Sequence, residues 1–232
     1  MSNILEKISR KIKLPMQAIR NAKSQKVFCI GKNKTGTTSM ERLFSDLGLV
    51  VGSQRKAEKL TVDWLSNDFK RIIKYVKYEG QAFQDIPFSL PRTYKVLDEA
   101  FPGSKFILTK RYSAEVWCDS LVNFHAKIFG KGSIPNKIDL QNANYVEPGF
   151  AWEVMNTLHD IKGEDIYNRE MLIRDYNLYN EEVERYFEGS NEKLLILSLD
   201  EKDIVSRIQK FLNIERTMVD MPWENRNTVK RS

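Results

Sequence analysis

The sequence alternates between short apolar runs, which are typical of buried strands, and longer stretches in which apolar residues recur every three or four positions, which is typical of helices. The apolar runs predict strands at Val27–Ile30, Leu49–Val51, Gln81–Gln84, Lys105–Thr109 and Lys193–Leu199. The helical spacing predicts helices at Thr38–Leu47, Ala57–Tyr78 (in two pieces), Arg92–Phe101, Ala114–Phe129, Phe150–His159, Asn168–Phe187 and Lys202–Leu212. Strands that alternate with helices in this way favour an α/β fold with a parallel sheet and right-handed crossovers.

The composition is typical of a globular protein and argues against a membrane-spanning or disulfide-rich one. The chain has 232 residues, of which 41% are hydrophobic and 29% charged, as in ordinary globular domains. No apolar run approaches the roughly 20 residues that a membrane-spanning helix needs. The two cysteines, Cys29 and Cys118, are too few for a disulfide scaffold and suit a reducing compartment. The sequence therefore predicts a cytoplasmic protein.

The net charge of +6 is concentrated at the amino terminus. Residues 1–26 hold seven cationic side chains and one anionic side chain. The rest of the chain therefore has 30 cationic and 30 anionic side chains. Because the body of the chain is neutral overall, we expect no nucleic-acid partner. We predict a basic extension over residues 1–25 and a domain over residues 26–232. Residues 1–13 have an amphipathic pattern and could lie on an anionic membrane surface, dock on the domain or remain a solvated extension.

The loop after the first predicted strand carries the clearest chemical signal. Gly31–Ser39 reads GKNKTGTTS and leads into a predicted helix, the setting in which backbone N–H groups and a helix dipole bind an anion. Gly31 and Gly36 have the spacing of a Walker A motif, but Thr37 stands where that motif has its lysine. Lys34 lies inside the loop instead. The pattern favours an anion cradle over Mg²⁺-dependent nucleotide hydrolysis.

The segment GKNKTGTTSMERLF resembles the 5′-phosphosulfate loop of sulfotransferases that use 3′-phosphoadenylyl sulfate (PAPS), whose pattern is lysine, a small residue and Gly-Thr-Thr. The resemblance implies a three-layer α/β P-loop nucleotide-binding fold, with a parallel sheet of about five strands flanked by helices. It implies that Lys34 contacts the bridging oxygen of the donor. It also implies that the reaction requires no metal. It implies that the 5′-phosphate is held by Thr35, Gly36, Thr37, Thr38 and Ser39.

A second element of the resemblance follows the strand at Lys105–Thr109. In KFILTKRYSAEVWCDS, Arg111 and Ser120 match the arginine and serine that bind the 3′-phosphate in this family. The two residues are nine positions apart, whereas eight is usual, and Tyr112 stands where the family often has Asp or Asn. A one-residue insertion at the turn explains this spacing and leaves Ser113 as an alternative ligand.

The third element concerns the catalytic base. Asp85-Ile86-Pro87 follows the weak third strand, where relatives carry a histidine or a carboxylate, so Asp85 is the predicted base. An ordinary aspartate, with a pKa near 3.9, is a weak base, so the site must raise this pKa or transfer the proton late. His125 is the rival base, although its apolar helical stripe favours a core histidine. The cysteines and histidines lack zinc spacing, and no metal site is predicted.

The resemblance covers about residues 26–130, KLLILSLDEKD, and the segment Pro222–Thr228, which is similar to one that closes over the nucleotide in many relatives. Arg226, Lys230 and Arg231 are candidate further phosphate contacts. Ser39 stands where the family usually has an aromatic residue that stacks on adenine.

The resemblance implies transfer of a sulfuryl group from PAPS to an acceptor hydroxyl or amine, with release of adenosine 3′,5′-bisphosphate. The acceptor, a small molecule, glycan or lipid, is not specified by the sequence. We expect its pocket walls in Gly52–Leu65, Gly130–Gly149 and the helices that follow; the second of these is an irregular stretch typical of a binding loop or lid. The alternatives are an atypical P-loop kinase or NTPase, which would need an acid after a strand, and a non-catalytic nucleotide-binding module.

Overall fold

Strand β1 (Val27–Cys29) lies inside the sheet with all three residues buried. Phe28 belongs to the apolar core on one face, whereas Val27 and Cys29 belong to the core on the other. A strand that is buried on both faces needs an uninterrupted apolar run, which explains the pattern VFC.

The computed structural model describes residues 16–198 and 200–215. Within these residues the strands are β1, β2 (Ala82–Phe83), β3 (Lys105–Lys110) and β4 (Leu194–Ser198). The helices are α1 (residues 16–23), α2 (Thr37–Asp46), α3 (Gln54–Glu58), α4 (Thr61–Leu65), α5 (Lys70–Glu79), α6 (Thr93–Ala100), α7 (Ala114–Ile128), α8 (Lys137–Asn142), α9 (Phe150–His159), α10 (Arg169–Tyr186) and α11 (Ile204–Leu212). The predicted amphipathic segment 1–13 and the predicted nucleotide-closing segment 222–228 lie outside the described residues, as do the three cations at 226, 230 and 231.

The sheet is parallel, in the order β2-β1-β3-β4. Helices α2 and α11 cover one face, and α5, α6 and α10 cover the other, which confirms the predicted three-layer α/β fold. From β1 the chain passes to β2 on one side and then to β3 on the other. The carboxyl ends of β1 and β3 therefore form a topological switch point, where open α/β sheets bind their ligands.

The sheet has four strands within the described residues instead of about five. The segment predicted as a strand at Leu49–Val51 forms only an isolated parallel bridge, from Val51 to Ala82 on β2. Its hydrogen bonds to the β2 segment end with the Gly52 N–H, which donates to the Ala82 carbonyl over 2.9 Å. Because α3 begins two residues after Gly52, the chain leaves the sheet edge before a ladder can extend.

Two other predictions need correction in their details. Ala57–Tyr78 was predicted as two helical pieces and forms parts of three helices, with a left-handed residue, Asn67, between α4 and α5. Gly130–Gly149 was predicted to be irregular, yet it contains α8. That helix begins at a capping box, in which Asn136 accepts from the Asp139 N–H and Asp139 accepts from the Asn136 N–H.

The described part of the basic extension packs on the domain. The Asn21 side chain is buried and donates from Nδ2 to the Tyr78 carbonyl over 2.9 Å. The Lys26 ammonium donates to the carbonyls of Asn21 and Gly80, over 2.6 and 2.7 Å. These bonds tie α1 to the carboxyl end of α5. Within residues 16–198 and 200–215, no helix is long and apolar enough to cross a membrane.

Candidate active site

The loop between β1 and α2 presents free backbone donors. Lys34 and Gly36 both have left-handed backbone conformations, with φ of 69° and 84°. Among the described residues, no acceptor is hydrogen-bonded to the N–H groups of Gly36, Thr37 or Thr38. These groups lie at the amino terminus of the ten-residue helix α2, the positive end of its dipole. Free amides at the start of a helix are groups that bind anions, so this geometry agrees with the predicted anion cradle, and the binding itself stays a prediction.

The base of the loop is clamped against β3. Thr35 is buried, and its hydroxyl donates to the Lys32 carbonyl over 2.6 Å and lies 2.8 Å from Thr109 Oγ1. Its N–H also bonds the Lys32 carbonyl. Contact of Thr35 with the 5′-phosphate stays a prediction; its hydroxyl and its N–H are both engaged within the loop.

Gly31 is required by this clamp. A Cβ at Gly31 would lie 2.1 Å from Thr109 Oγ1 and 2.3 Å from the Thr109 carbonyl oxygen. We expect Gly31→Ala to lower the free energy of unfolding by about 1–3 kcal/mol, because the loop must move away from β3. Urea unfolding measures this change. Gly163→Ala is the matched control, since a Cβ there meets nothing within 4 Å, and we expect a change within about 0.5 kcal/mol. Equal stabilities for the two variants would contradict the clamp.

A cavity of about 590 Å³ opens beside the loop, over the switch point. It is lined by the predicted site residues Lys34, Gly36, Thr37, Thr38, Ser39, Asp85, Arg111 and Ser120. Thr35 is the predicted residue that does not line it. The far walls come from α3, from the loop before α9 and from α9 itself, which belong to the segments predicted to form the walls of the acceptor pocket.

Arg111 follows β3 and reaches across to the loop. Its Nε donates to the Lys34 carbonyl over 2.6 Å, and its Nη2 lies 3.5 Å from Ser120 Oγ on α7. Its own N–H donates to the Tyr176 hydroxyl over 3.0 Å. The alternative ligand, Ser113, is the amino-terminal cap of α7 and accepts from the Val116 N–H. The structure therefore brings Arg111 together with Ser120, despite the nine-residue spacing.

Trp117 is an anchor of the loop that the sequence analysis took only as part of an apolar helix face. Its indole Nε1 donates to the Asn33 carbonyl over 3.0 Å. Its ring stacks on Tyr176, with 4.5 Å between the centroids. Since Tyr176 also holds the backbone of Arg111, α7 and α10 together fix the relative positions of the loop and the arginine.

Lys34 points its ammonium group into the cavity. Its Nζ lies 3.8 Å from the centroid of the Phe124 ring, a cation–π contact. Partial burial, together with the nearby charge of Arg111, lowers the pKa of Lys34, and the charge of Asp85 opposes this shift. The Phe124 ring and the charge of Asp85 both favour the ammonium, which forms no salt bridge to Asp85 among the described residues.

Asp85 follows β2 and faces the loop. Its Oδ2 accepts from the Thr37 hydroxyl and its Oδ1 from the Ile86 N–H, each over 2.9 Å. Burial raises the pKa of Asp85 above its usual value, although these two hydrogen bonds and the charge of Lys34 lower it. The sequence analysis required either a raised pKa or a late proton transfer, and the structure supplies the first of these.

The sequence that forms this site matches the model of a known family. The model of the sulfotransferase domain matches residues 26–229, which is most of the chain. The chain belongs to the sulfotransferase family. No curated protein matches the sequence.

His125, the rival base of this sulfotransferase, is a buried residue on α7 that also lines the cavity. Its Nδ1 lies 2.9 Å from the Tyr167 hydroxyl, and its ring packs against Phe129. Burial, with smaller contributions from His159 and Lys34, lowers the pKa of His125 to about 3. The histidine is therefore neutral at physiological pH. Within residues 16–198 and 200–215, no group of three or more His, Cys, Asp or Glu side chains is arranged to hold a metal ion.

The sulfotransferase also has a cavity carboxylate that belongs to no motif and could not be singled out from its sequence. Glu58, on α3, lines the cavity, and its Oε1 accepts from the Tyr145 hydroxyl over 2.7 Å. Burial raises the pKa of Glu58, and the Tyr145 hydrogen bond opposes this shift. The bond joins the loop before α9 to α3, 87 residues away, so it holds the two walls of the cavity together.

Proposed function

We propose that this sulfotransferase moves a sulfuryl group from PAPS to a hydroxyl or amine of an acceptor, and releases adenosine 3′,5′-bisphosphate. One observation carries the proposal: two groups suited to anions line the same cavity as a partly buried carboxylate. The free amides of Gly36, Thr37 and Thr38 form the first, and Arg111 with Ser120 forms the second. A donor with a 5′-phosphosulfate and a separate 3′-phosphate needs both.

The residues divide the binding of the donor between them. The amides at the start of α2, with the hydroxyls of Thr38 and Ser39 on the same wall, would hold the 5′-phosphate. Arg111 and Ser120 would hold the 3′-phosphate through charge-assisted hydrogen bonds. Because Arg111 also donates to the Lys34 carbonyl, the two sites are coupled through the backbone of the loop.

Two side chains act in the transfer itself: one stabilises the negative charge on the leaving oxygen, and the other accepts the proton of the acceptor. As a bond forms between the acceptor atom and sulfur, the bond from sulfur to the bridging phosphate oxygen breaks, and the electron pair stays on that oxygen. The Lys34 ammonium stabilises the negative charge that develops there. The Asp85 carboxylate takes the proton that the acceptor loses. Thr37 holds that carboxylate in place, because its hydroxyl donates to Oδ2.

A kinase or NTPase fits the residues less well. Such enzymes hold Mg²⁺ with a carboxylate that follows a neighbouring strand, and they have a lysine directly after the second glycine of the loop. In this chain Thr37 stands at that lysine position, and the residues that end and follow β3 are Lys110 and Arg111. The carboxylate that follows β2, Asp85, already accepts from Thr37 and Ile86. Lys110 is paired with Glu184, whereas Arg111 lines the cavity and favours an anion there. A non-catalytic module would have no need of a base, yet Asp85 is kept partly buried with a raised pKa beside Lys34.

We also propose a cytoplasmic location. Cys29 and Cys118 are both buried free thiols, which suits a reducing compartment.

Turnover of labelled donor tests the proposal. We expect the protein, in the presence of EDTA, to transfer ³⁵S from labelled PAPS to members of a mixture of phenols, sugars and sterols, and to release adenosine 3′,5′-bisphosphate at the same rate. The Asp85→Asn variant is the control for contaminating enzymes and should be nearly inactive. Phosphate transfer from ATP that needs Mg²⁺, with no sulfuryl transfer, would replace this function with that of a kinase.

A further inference from the structure

Lys32 is a buried cation that lacks a directly bonded partner. It lines the cavity, and only 6% of its surface is exposed. Among the described residues its ammonium forms no hydrogen bond or ion pair. The neighbours that contact it are two aromatic rings, with centroids 5.1 Å away at Tyr179 and 5.8 Å away at Trp117. A buried charge without a hydrogen-bonding partner is costly, and an anion would offset this cost.

The nearest acidic side chain is already engaged. Asp175 accepts from Arg174 on Oδ1 and pairs with His159 on Oδ2, each at 2.8 Å. Its charge acts on Lys32 only from a distance. His159 lies on α9 and lines the same cavity, so the charge of Lys32 is directed toward space that a ligand can occupy.

Ser89 is a second unsatisfied group on the cavity wall. It is 3% exposed, and its hydroxyl has no hydrogen-bond partner in the structure. Lys32 follows β1 and Ser89 follows β2, two strands that lie side by side, so both groups belong to the same end of the sheet. The same cavity is also lined by the apolar side chains of Leu90, Met155 and Leu158.

From these groups we infer that the acceptor is an apolar molecule that carries an anionic group, a carboxylate or a sulfate or phosphate ester, which binds Lys32. Ser89 donates a further hydrogen bond to the acceptor. The inference rests on the proposed function, because it concerns the part of the same cavity that would bind the acceptor. It adds a specificity-determining residue, two positions before the catalytic lysine, that plays no part in the transfer itself.

The acidic groups of the cavity do not favour a cationic acceptor instead. Glu58 already accepts from Tyr145, and Asp85 already accepts from Thr37 and Ile86. Apart from the groups assigned to the donor, Lys32 and Ser89 are two buried lining residues whose side-chain polar atoms have no bonded partner among the described residues. The unsatisfied charge on that wall is therefore positive.

Three probes of equal size test the charge preference: 4-hydroxyphenylacetate, 4-hydroxyphenylacetamide and tyramine, which carry an anion, a neutral amide and a cation. Each is titrated into protein saturated with adenosine 3′,5′-bisphosphate, for the wild type and for Lys32→Met. We expect the wild type to bind the acetate about tenfold or more tightly than the amide. In Lys32→Met this ratio should fall to about one, while the bisphosphate affinity changes less than about twofold.

The outcomes distinguish a failure of the acceptor inference from a failure of the proposed function. If the bisphosphate does not bind the wild type, the proposed function fails first. If it binds, the inference is overturned by binding of none of the probes, by tyramine or the amide binding as well as the acetate, or by an anion preference that survives in Lys32→Met. A Lys32→Met variant that loses bisphosphate affinity would assign Lys32 to the donor instead. Lys127→Met, an exposed lysine on the cavity rim, is the control for a general effect of charge.

Discussion

Replacing Lys34 with methionine is expected to lower kcat by about 10²–10³-fold, the usual effect of removing one group that stabilises developing negative charge. The KM for PAPS should change much less, because the amides of α2 and the guanidinium of Arg111 remain. Methionine keeps the unbranched stem of lysine, so it places no new demand on the left-handed backbone at this position. The bond from Arg111 also survives, because it is made to the Lys34 carbonyl. Steady-state kinetics with PAPS measure the effect.

Lys127→Met is the matched control for this prediction. Lys127 lies on the rim of the same cavity but is exposed to solvent, so the same change in charge should alter kcat by less than about threefold. An equal loss of kcat in the two variants would mean that the overall positive charge of the cavity determines the rate, and not an ammonium group placed at the leaving oxygen. A Lys34→Met enzyme with normal kcat would contradict the assigned role outright.

Asp85→Asn is expected to lower kcat by about 10²–10⁴-fold, the range for loss of a general base. The affinity for adenosine 3′,5′-bisphosphate should stay within about twofold, since Asp85 is not among the anion-binding groups. Asparagine is the appropriate replacement because Asp85 has a φ of 60°, a conformation that asparagine tolerates well. It also retains an oxygen that can accept from Thr37.

The pH dependence gives a second test of Asp85. A base must be ionised to accept a proton, so kcat falls as the pH drops through the pKa of its carboxyl. Because burial raises that pKa, we expect the acid limb of the kcat profile to lie at higher pH than an ordinary aspartate would give. Asp85→Asn should remove this limb. If His125→Asn removes the limb instead and Asp85→Asn leaves it, the histidine is the base.

The parts of this molecule that could be predicted from sequence are those in which neighbours along the chain decide the outcome. The loop around Lys34 is such a part, since its glycines, its threonines and the helix that follows all lie within one short segment. The pairing of Arg111 with Ser120 is another, because one strand end and one helix position them. The buried strands β1 and β3 are also local, as both are short apolar runs.

Contacts between distant segments could not be predicted in this way. Tyr145 and Glu58 lie 87 residues apart, and neither belongs to a motif. Trp117 reads as one more apolar residue on a helix until the fold places its indole against the Asn33 carbonyl. The strand predicted at Leu49–Val51 fails for the same reason: its length in the sheet depends on where α3 must begin, which the apolar pattern does not contain.

The fold explains why the site lies where it does. In the part of the chain that the structure describes, four parallel strands have their carboxyl ends on the same side, and the connections that leave β1 and β3 in opposite directions open a space between them. Three side chains reach that space from three different strand ends: Lys34 after β1, Asp85 after β2 and Arg111 after β3. The bonds of Arg111 to the loop and of Thr37 to Asp85 then fix these groups relative to one another.

The most direct test is a calorimetric titration with adenosine 3′,5′-bisphosphate, with and without Mg²⁺, on the wild type and on Arg111→Ala. We expect binding that does not depend on the metal, and an affinity that falls by about tenfold or more in the variant, which loses a charged hydrogen-bond donor. Absence of binding, together with ATP binding that requires Mg²⁺, would contradict the assignment of the donor site.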